Sequence, residues 1–496
     1  MHPDQGAVVT LPDAPAAAGT APEPATRPPA FVWALVALHV TVMLMCSLLY
    51  PATYGYDEPQ HVDLAYAYSK ELHLYAPGER RVAAGVAKTQ RGPSYPPRRS
   101  FSDIVPQPRG QRPSLDEQGG SRQLRGGLPN QLVEHPPLYY LLGAAVLRFP
   151  GVGGLPFDQQ LWLLRLLSVL LLAPLPLLAW AAARALLGAG PPALAAAVLP
   201  VTVPGLSRVG GSFSNDTLLV LLGAVLVWLL ARVLAGDLRV RIGVLVGATL
   251  VAALLTKGFA LVLPPVVLAA YAVAALRQGR GARLRRAAVP GLAALGIGGL
   301  GLLWWLRNLV LFGAVQPNGF GADLYQRILG PPRPGGTPEQ FAVGFSRLMA
   351  RRVWGGIGLP ERPLLAVGLC YAWAVALALL VAVGLLAGAG GRWGRSALVV
   401  LTLPVVLTAA IVAYQSWGLF HSHGSRLIGV QARYLYLGLT GLGVAFAAGL
   451  RRVVPGRAAR WAPGVLLALG VATQVWAWRT LAQAWWVPDA ARGEET

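Results

Sequence analysis

The sequence predicts an all-α, multi-pass membrane protein, because it is highly apolar and poorly charged. Hydrophobic residues make up 55% of the 496 residues and charged residues only 13%, about half the share found in soluble domains. The 42 basic and 21 acidic residues give a formal charge of +21. A nucleic-acid-binding protein with this charge would need far more polar surface to stay dissolved. The apolar content also excludes a disordered chain.

The first part of the chain divides into a tail and a single apolar run. Residues 1–30 are rich in Pro and Ala and show no apolar pattern, which predicts a disordered cytoplasmic tail. Residues 31–50 are long enough to cross a bilayer. No small-residue cleavage site follows them, so the sequence favours an uncleaved first span over a signal peptide.

A polar stretch, residues 51–135, precedes the remaining apolar sequence and holds most of the polar chemistry of the chain. The rest reads as ten apolar runs with short connections. These runs cover residues 161–185, 188–205, 217–235, 242–256, 259–276, 288–310, 363–388, 396–414, 431–450 and 462–482. Together with the first run they predict about 11 spans, within a range of 10–13. A second outer loop, 311–362, and a C-terminal tail, 483–496, complete the predicted organisation.

Arginine clusters in the connections predict the orientation of these spans. They lie within residues 232–241, 277–286, 392–395 and 451–460, at alternate connections. The positive-inside rule assigns such loops to the cytoplasm. The N-terminus is therefore predicted inside and the C-terminus outside, with the 51–135 loop outside.

The short apolar run 136–149 is too short for an ordinary span. As a helix it would extend about 21 Å, less than the hydrocarbon core of a bilayer. We predict an interfacial or re-entrant helix, and a topology in which this run crosses the membrane is the alternative.

This topology places unusual polar residues at one level, the outer interface. They are Asp57, Glu58, His61, Glu134, His135, Arg165, Asn215, Asp216, Lys257, Arg307, Asn308, Gln431 and Arg433. Ionisable groups at membrane depth are costly and usually face a cavity or a partner. Lys257 stands out because only three of the 42 basic residues are lysines. Purely structural roles are the alternatives: snorkelling for the arginines and Lys257, and a helix N-cap for Asp216.

The segment YGYDEPQH after the first span carries the clearest candidate for acid–base chemistry. Asp57 and His61 are four residues apart and would share one helical face, and Pro59 is compatible with a first helical turn. We predict Asp57 as a general base for an acceptor hydroxyl, with Glu58 as an orienting residue or alternative base. A plain N-terminal cap is the structural alternative.

A metal site is a weaker possibility that the sequence leaves open. His421 and His423 in an outer loop could bind a divalent metal together with Asp57 and His61, although ordinary loop histidines would have the same pattern. Cysteines add nothing, because both Cys46 and Cys370 lie in apolar runs. We find no phosphate-binding loop and no dinucleotide motif.

Five motifs, in this order along the chain, resemble the GT-C superfamily of membrane glycosyltransferases. They are D-E at Asp57 and Glu58, H-P-P-L-Y-Y from His135 to Tyr140, S-N-D from Ser214 to Asp216, T-K-G-F from Thr256 to Phe259, and Q-A-R-Y from Gln431 to Tyr434. The D-E-P-x-H form also looks like that of an uncharacterised bacterial multi-pass family. The resemblance covers about residues 31–450. The chain departs from it at His135, where the superfamily often has a lysine.

The resemblance implies a GT-C-like bundle over residues 31–482 and a polyprenyl-phosphate-linked sugar donor. The expected reaction is transfer of a hexosyl or pentosyl group, with inversion, to an envelope glycan, lipid or protein outside a bacterial plasma membrane. Lys257, Arg307 and Arg433 would stabilise the phosphate leaving group. The expected substrate-binding residues are His61, His135, Tyr139, Asn215 and Asp216. No cofactor is certain, a divalent metal stays open, and nucleic acid is not an expected partner.

Two other functions remain as alternatives at this point. One is a transporter or flippase for lipid-linked sugars, and the other is a non-catalytic membrane protein of envelope assembly. Transporters often show internal repeats and polar groups near the membrane midplane, whereas here no repeat is evident and the polar groups gather at one edge.

Overall fold

The computed structural model describes residues 27–90, 107–123, 129–278, 281–357, 365–425 and 427–487. Its regular elements in these ranges are helices, joined by three isolated β-bridges. The predicted all-α class is confirmed. Residues 1–26 of the predicted tail and residues 488–496 lie outside the described residues, as do parts of both predicted outer loops.

Nineteen α-helices make up the described structure. They are α1 Ala30–Leu49, α2 Glu58–Lys70, α3 Ala84–Ala87, α4 Leu138–Arg148, α5 Phe157–Leu172, α6 Leu175–Leu187, α7 Pro191–Val198, α8 Pro204–Gly210, α9 Asp216–Ala235, α10 Val240–Leu254, α11 Leu263–Gln278, α12 Ala282–Gly299, α13 Leu303–Phe312, α14 Ala322–Leu329, α15 Pro338–Gly355, α16 Val367–Ala387, α17 Gly394–Ser422, α18 Leu439–Val453 and α19 Ala462–Trp485.

In the described ranges, nine helical stretches are long and apolar enough to cross a membrane. They are α1, α5 with α6, α9, α11 with the 3-10 turn before it, α12 with α13, α16, α17, α18 with the 3-10 turn before it, and α19. A tenth forms if the pair α7 and α8 is one broken span. The remaining predicted span, 242–256, corresponds to α10, which has only 15 residues. Each predicted run therefore corresponds to helix, and the chain is a multi-pass membrane protein.

Proline breaks the helical stretch formed by α7 and α8. Pro204 begins α8, which is bent by 68° from the preceding helical stretch, Pro191–Thr202. Proline lacks an N–H donor and restricts the residue before it, so a continuous helix ends there. The bend carries residues 204–210 and the following loop against the first outer loop.

Close approach of backbones holds the bundle together, as is common for membrane helices with small residues at their contacts. A Cβ added to Gly384 of α16 would lie 2.0 Å from the carbonyl oxygen of Ala445 in α18. The corresponding position in α10 is Gly243, where a Cβ would lie 2.3 Å from the carbonyl oxygen of Pro290 in α12. The many glycines of the apolar runs thus serve packing.

The first outer loop is a folded unit built on α2 and α4, which pack against each other. Asp63 of α2 is fully buried and receives two N–H groups of Arg80, each at 2.7 Å. The same carboxylate accepts from Asn130 Nδ2 and from the main-chain N–H of Ala83, both at 2.8 Å. This buried clamp joins both ends of the loop. At 11 residues α4 extends about 16 Å, too short for an ordinary span, as the sequence indicated.

Candidate active site

Four charged side chains from distant parts of the sequence meet at one end of the helix bundle. Lys257 Nζ lies 2.6 Å from Asp216 Oδ1, and Arg433 Nη2 lies 2.7 Å from Asp57 Oδ2. Arg433 Nε is a further 3.4 Å from Asp216 Oδ2. Three of these side chains are almost fully buried, whereas the Asp57 side chain is 39% exposed. The structure thus brings together four predicted site residues around one accessible carboxylate.

Helix ends present all four side chains. Asp57 immediately precedes α2, and Asp216 is the first residue of α9. Lys257 follows α10 at the start of a 3-10 turn, and Arg433 lies in the 3-10 turn Ala432–Gly438 that leads into α18. The chain changes direction where these helices end. Side chains from four separate segments therefore project into one space.

Asp57 adopts a backbone conformation that few residues other than glycine adopt. Its φ is 50° and its ψ is 24°, in the left-handed region. Such a conformation costs on the order of 1–3 kcal/mol and persists only where the surroundings hold it. The Asp57 side chain makes no capping hydrogen bond to α2. The predicted cap role is therefore absent, and the carboxylate points to Arg433 instead.

The neighbours of Asp57 keep its carboxylate ionised. Burial raises the pKa of Asp57, but the charge of Arg433 and its hydrogen bond outweigh this effect and hold the pKa below its usual range. Oδ2 accepts from Arg433, whereas no hydrogen bond to Oδ1 occurs among the described residues. Asp57 is thus a charged acceptor with one oxygen available to another molecule.

His61 and Asn215 belong to a buried polar network beside these charges. His61 Nδ1 lies 3.2 Å from the Tyr140 hydroxyl, and Nε2 lies 3.3 Å from Ser214 Oγ. Asn215 donates to the same tyrosine hydroxyl at 3.3 Å and accepts from Lys257 at 3.1 Å. Burial lowers the pKa of His61 to about 3, so its ring is neutral at pH 7.

Glu58 occupies a different place from Asp57, despite being its neighbour. Its carboxylate is fully buried and pairs with Arg165, with contacts of 2.8 and 2.6 Å. It also accepts the main-chain N–H groups of Gly55 and Phe213. Arg165 in turn donates to three carbonyl groups of residues 47–51. Both oxygens of Glu58 are engaged, so this carboxylate belongs to a buried structural ion pair. Arg165 does not snorkel, because it is bound inside the protein.

Two other predicted residues lie apart from the charged cluster. Tyr139 is fully buried, with its hydroxyl 2.9 Å from Ser168 Oγ and its ring packed on Phe213. Arg307 is half-buried, with its guanidinium 5.2 Å from the centroid of the Trp304 ring. Its hydrogen bond goes to the adjacent Asn308, and in the described structure it has no carboxylate partner.

Glu134 connects the first outer loop to the second. Its carboxylate accepts from Gln316 Nε2 at 3.0 Å and from the main-chain N–H of Gly319 at 3.3 Å. Burial raises the pKa of Glu134 to about 7, although both hydrogen bonds oppose the shift. The adjacent His135 is buried, and burial holds its pKa well below the usual range. Its Nδ1 has no hydrogen-bond partner among the described residues.

The shifted pKa of Glu134 predicts a pH-dependent stability. In the unfolded chain Glu134 ionises near 4.5, and in the folded protein near 7. Between these values the unfolded state loses its proton first, so stability falls as pH rises and levels off above 7. Glu134→Gln should remove up to about 3 kcal/mol of this dependence. Thermal unfolding in detergent at pH 5 and pH 8 measures this pH dependence, with Glu71→Gln, a change at an exposed position, as the control. An equal change of stability with pH in the wild type, Glu134→Gln and Glu71→Gln would show that Glu134 is not its source.

The possible metal site is not assembled in the described structure. No three His, Cys, Asp or Glu side chains lie close enough together to hold an ion among the described residues. Helix α17 continues to Ser422, so His421 lies on it and stacks on Trp417. His423 follows the helix, with Nδ1 2.6 Å from Ser422 Oγ. The predicted outer loop is instead the end of a helix, which does not bring these histidines to Asp57 and His61.

Aromatic rings and one more arginine lie against these charged side chains, and the sequence analysis gave them no role. Lys257 Nζ lies 4.9 Å from the centroid of the Tyr434 ring, which stacks on Phe259. The Arg433 guanidinium lies 4.2 Å from the centroid of the Tyr56 ring, and the Arg208 guanidinium lies 3.7 Å from it. The available signal was position: Tyr56 precedes Asp57, Tyr434 follows Arg433, and Arg208 interrupts an apolar segment.

Part of the chain matches a known protein family. Residues 134–299 match the family described as dolichyl-phosphate-mannose-protein mannosyltransferase. This segment contains three of the five motifs, those of His135, Asp216 and Lys257. No curated protein sequence matches the chain.

Two solved structures are similar in overall course. ArnT from Cupriavidus metallidurans bound to undecaprenyl phosphate is 14% identical, with a TM-score of 0.48, and the match covers 92% of this chain and 76% of that one. The oligosaccharyltransferase AglB from Archaeoglobus fulgidus, in complex with an inhibitory peptide and a dolichol-phosphate, is 11% identical with a TM-score of 0.43. That match covers 92% of this chain but only 56% of the archaeal protein.

Proposed function

We propose that this chain is a polyprenyl-phosphate-dependent membrane glycosyltransferase of the GT-C type and that it transfers a sugar to an envelope acceptor, and the family match over residues 134–299 supports this. The donor would be a sugar linked to polyprenyl phosphate, and the acceptor a glycan, lipid or protein at the outer face of the bacterial plasma membrane. The observation that carries the proposal is the part-exposed, ionised Asp57 beside the buried cations Arg433 and Lys257.

Asp57 is the base in this proposal. Its free Oδ1 accepts the proton of an acceptor hydroxyl as the hydroxyl oxygen bonds to the anomeric carbon of the sugar. The bond between that carbon and the phosphate oxygen breaks, and polyprenyl phosphate leaves with the electron pair. One base acting opposite the leaving group gives inversion. The other acids near Asp57 do not suit this role, because Glu58, Asp63 and Asp216 are buried and already paired.

Arg433 and Lys257 would receive the leaving phosphate. Nη1 of Arg433 is buried and lacks a hydrogen-bond partner among the described residues, whereas Nε lies 3.4 Å from Asp216 Oδ2. Lys257 has three N–H donors, and Asn215 and Asp216 accept hydrogen bonds from two of them. These open donors can bind phosphate oxygens, which become more negative as the glycosidic bond breaks. Arg307, which is half-buried and has no carboxylate partner in the described structure, is the third residue predicted to bind the phosphate.

The proposed function is tested by supplying the purified protein with a panel of undecaprenyl-phosphate-linked hexoses and pentoses in vesicles. The expected result is loss of the lipid-linked sugar, release of undecaprenyl phosphate and a glycosylated product found by mass spectrometry. Envelope glycans from cells with and without the protein identify the acceptor. Movement of the intact donor across the vesicle membrane without transfer would support a flippase and overturn the proposal.

Lys257→Met should lower the turnover number about 10²–10³-fold, the range seen when one transition-state donor is removed. Asp216 keeps Arg433 as an ionic neighbour, so the fold should survive the change. The control is Lys70→Met, which removes an exposed lysine paired with Asp116. Initial rates at saturating donor measure the effect. Equal rates for both variants would remove Lys257 from the role of stabilising the leaving phosphate.

A further inference from the structure

Arg208 differs from the other buried basic residues of the described structure. Its side chain is 0% exposed, on the short helix α8. The other buried basic residues all pair with an acid: Arg80, Arg165, Lys257 and Arg433. Arg208 has no such partner among the described residues. A buried, unpaired charge is costly, so the place that this guanidinium occupies calls for an explanation.

Arg208 is held by an aromatic ring and by main-chain carbonyl groups. It donates to the carbonyl oxygens of Gly356 at 3.2 Å and Tyr54 at 3.3 Å. Its guanidinium lies 3.7 Å from the centroid of the Tyr56 ring and 5.1 Å from that of Tyr50. Cation–π contacts of this kind partly replace the missing counter-ion.

The Tyr56 ring connects Arg208 to the charged cluster of Asp57, Asp216, Lys257 and Arg433. The Arg433 guanidinium lies 4.2 Å from the centroid of the same ring. The Tyr56 hydroxyl donates at 2.7 Å to the Gly356 carbonyl that also accepts from Arg208. Two guanidinium groups repel each other, and the Tyr56 ring that both contact attracts both. Arg208 and Gly356 therefore determine where the ring lies, and the ring supports Arg433.

The position of the ring matters because Tyr56 is covalently joined to Asp57. Asp57 has a left-handed backbone and no side-chain hydrogen bond to α2. Its restraints are the peptide bond to Tyr56, the start of α2, and the hydrogen bond from Arg433 to its carboxylate. Tyr56 therefore acts on both ends of the Asp57–Arg433 pair, on one through the main chain and on the other through its ring.

We propose that Arg208 is a positioning residue that, through the Tyr56 ring, holds Arg433 against Asp57 and keeps the Asp57 carboxylate directed into the site. This inference rests on the proposed function for its kinetic consequence, because there Asp57 accepts the proton. The arrangement itself is independent of turnover and can be measured separately.

The charges around Asp57 determine what loss of Arg208 should do. Asp57 faces Arg433 from the turn before α18, His61 from its own helix and Lys257 from the end of α10. Asp216 contacts both cations, Lys257 at 2.6 Å and Arg433 at 3.4 Å. Arg433 has the strongest favourable effect on the ionised Asp57. Loosening Arg433 should therefore raise the pKa of Asp57.

The kinetic test compares Arg208→Met, Arg208→Lys, Tyr56→Leu and Tyr56→Phe with the unmodified enzyme. Arg208→Met and Tyr56→Leu should lower kcat about 10–100-fold, since a small misplacement of a reacting group can cost 10²-fold. KM for the lipid-linked sugar should change less than about threefold, and the acid limb of the profile of kcat against pH should move to higher pH.

Arg208→Lys keeps the charge but not the planar group, and should recover part of the activity. Tyr56→Phe keeps the ring and should lose less than Tyr56→Leu. The control is Arg184→Met, a guanidinium 5.4 Å from the centroid of the Trp180 ring and away from the site.

A second measurement does not need turnover. Asp57→Cys is made in a chain whose two buried cysteines, Cys46 and Cys370, are replaced by serine. The rate of alkylation by iodoacetamide as a function of pH reports the pKa of the thiol at position 57, because the thiolate is the reactive form. With Arg208 present, this pKa should lie below the ordinary value of about 8.5. Adding Arg208→Met should raise it by about half a unit or more.

The two measurements separate the inference from the proposed function. A folded Arg208→Met variant with unchanged kcat, acid limb and thiol pKa would overturn the positioning role. The wild-type protein could transfer no sugar while Arg208→Met, added to the Asp57→Cys chain, still raises the pKa of the thiol at position 57. That result would overturn the proposed function and leave the positioning role standing. If Arg208→Met does not fold, Tyr56→Leu and Arg208→Lys decide the question by the same readouts.

Discussion

Asp57→Asn should abolish sugar transfer, with a loss of about 10²–10⁴-fold in turnover, while the protein remains folded. Asparagine keeps the shape and an oxygen for Arg433 but does not accept the proton of an acceptor hydroxyl. The side chain is 39% exposed and does not cap α2, so its change should disturb little of the packing. Initial transfer rates and thermal unfolding in detergent measure the two properties.

Glu71→Gln is the matched control, because Glu71 lies just after the same helix and is exposed. It should transfer sugar at the wild-type rate. Normal turnover by Asp57→Asn would remove Asp57 from the role of base. Loss of folding in Asp57→Asn would show that the carboxylate holds structure, which its exposure argues against.

Glu58→Ala should give the opposite pattern, with a loss of about 3–5 kcal/mol in stability. The change leaves the Arg165 guanidinium buried without its acid, and it also removes the acceptor of the Gly55 and Phe213 N–H groups. Thermal unfolding and resistance to proteolysis in detergent measure the effect. Asp116→Asn is the control, because the Lys70–Asp116 pair is exposed, with 44% and 46% of the two side chains accessible. Pairs of that kind are worth about 0–1 kcal/mol.

The double variant Glu58→Leu with Arg165→Met tests the reason for this loss. Replacing both partners of a buried ion pair by apolar residues often restores stability. The double variant should therefore be more stable than Glu58→Ala.

A Glu58→Gln protein that folds normally but transfers no sugar would instead identify Glu58 as the base and contradict the assignment of Asp57.

The helices of this protein were predictable from the sequence because a membrane selects on apolarity over about 20 residues. Each of the 11 predicted runs corresponds to helix in the described structure. The details that were missed depend on local geometry. Examples are the 68° bend before α8 and the extension of α17 to Ser422, where the amino-acid pattern does not reveal the turn.

The gathering of these charged residues at one level was also predictable, although their pairings were not. Asp57, Asp216, Lys257 and Arg433 were expected at one interface, because charged groups inside a bilayer need a cavity or a partner. The histidine metal site that the sequence left open depended on an outer loop, and this segment is largely helical in the structure. Tyr56 and Arg208 carried no motif, and their contact with Arg433 exists only in three dimensions.

The sequence by itself determined that this is a multi-pass helical membrane protein with its polar chemistry collected at one face. Apolar runs, arginine-rich connections and rare charged residues are properties of the chain that do not depend on how the helices pack. Only the tertiary structure decided which of two adjacent acids is available for chemistry. Glu58 faces Arg165 inside the bundle, whereas Asp57 turns to Arg433 with one oxygen open. One left-handed residue, Asp57, immediately before α2 separates the two directions, and the arginine that binds its carboxylate lies 376 positions away in the sequence.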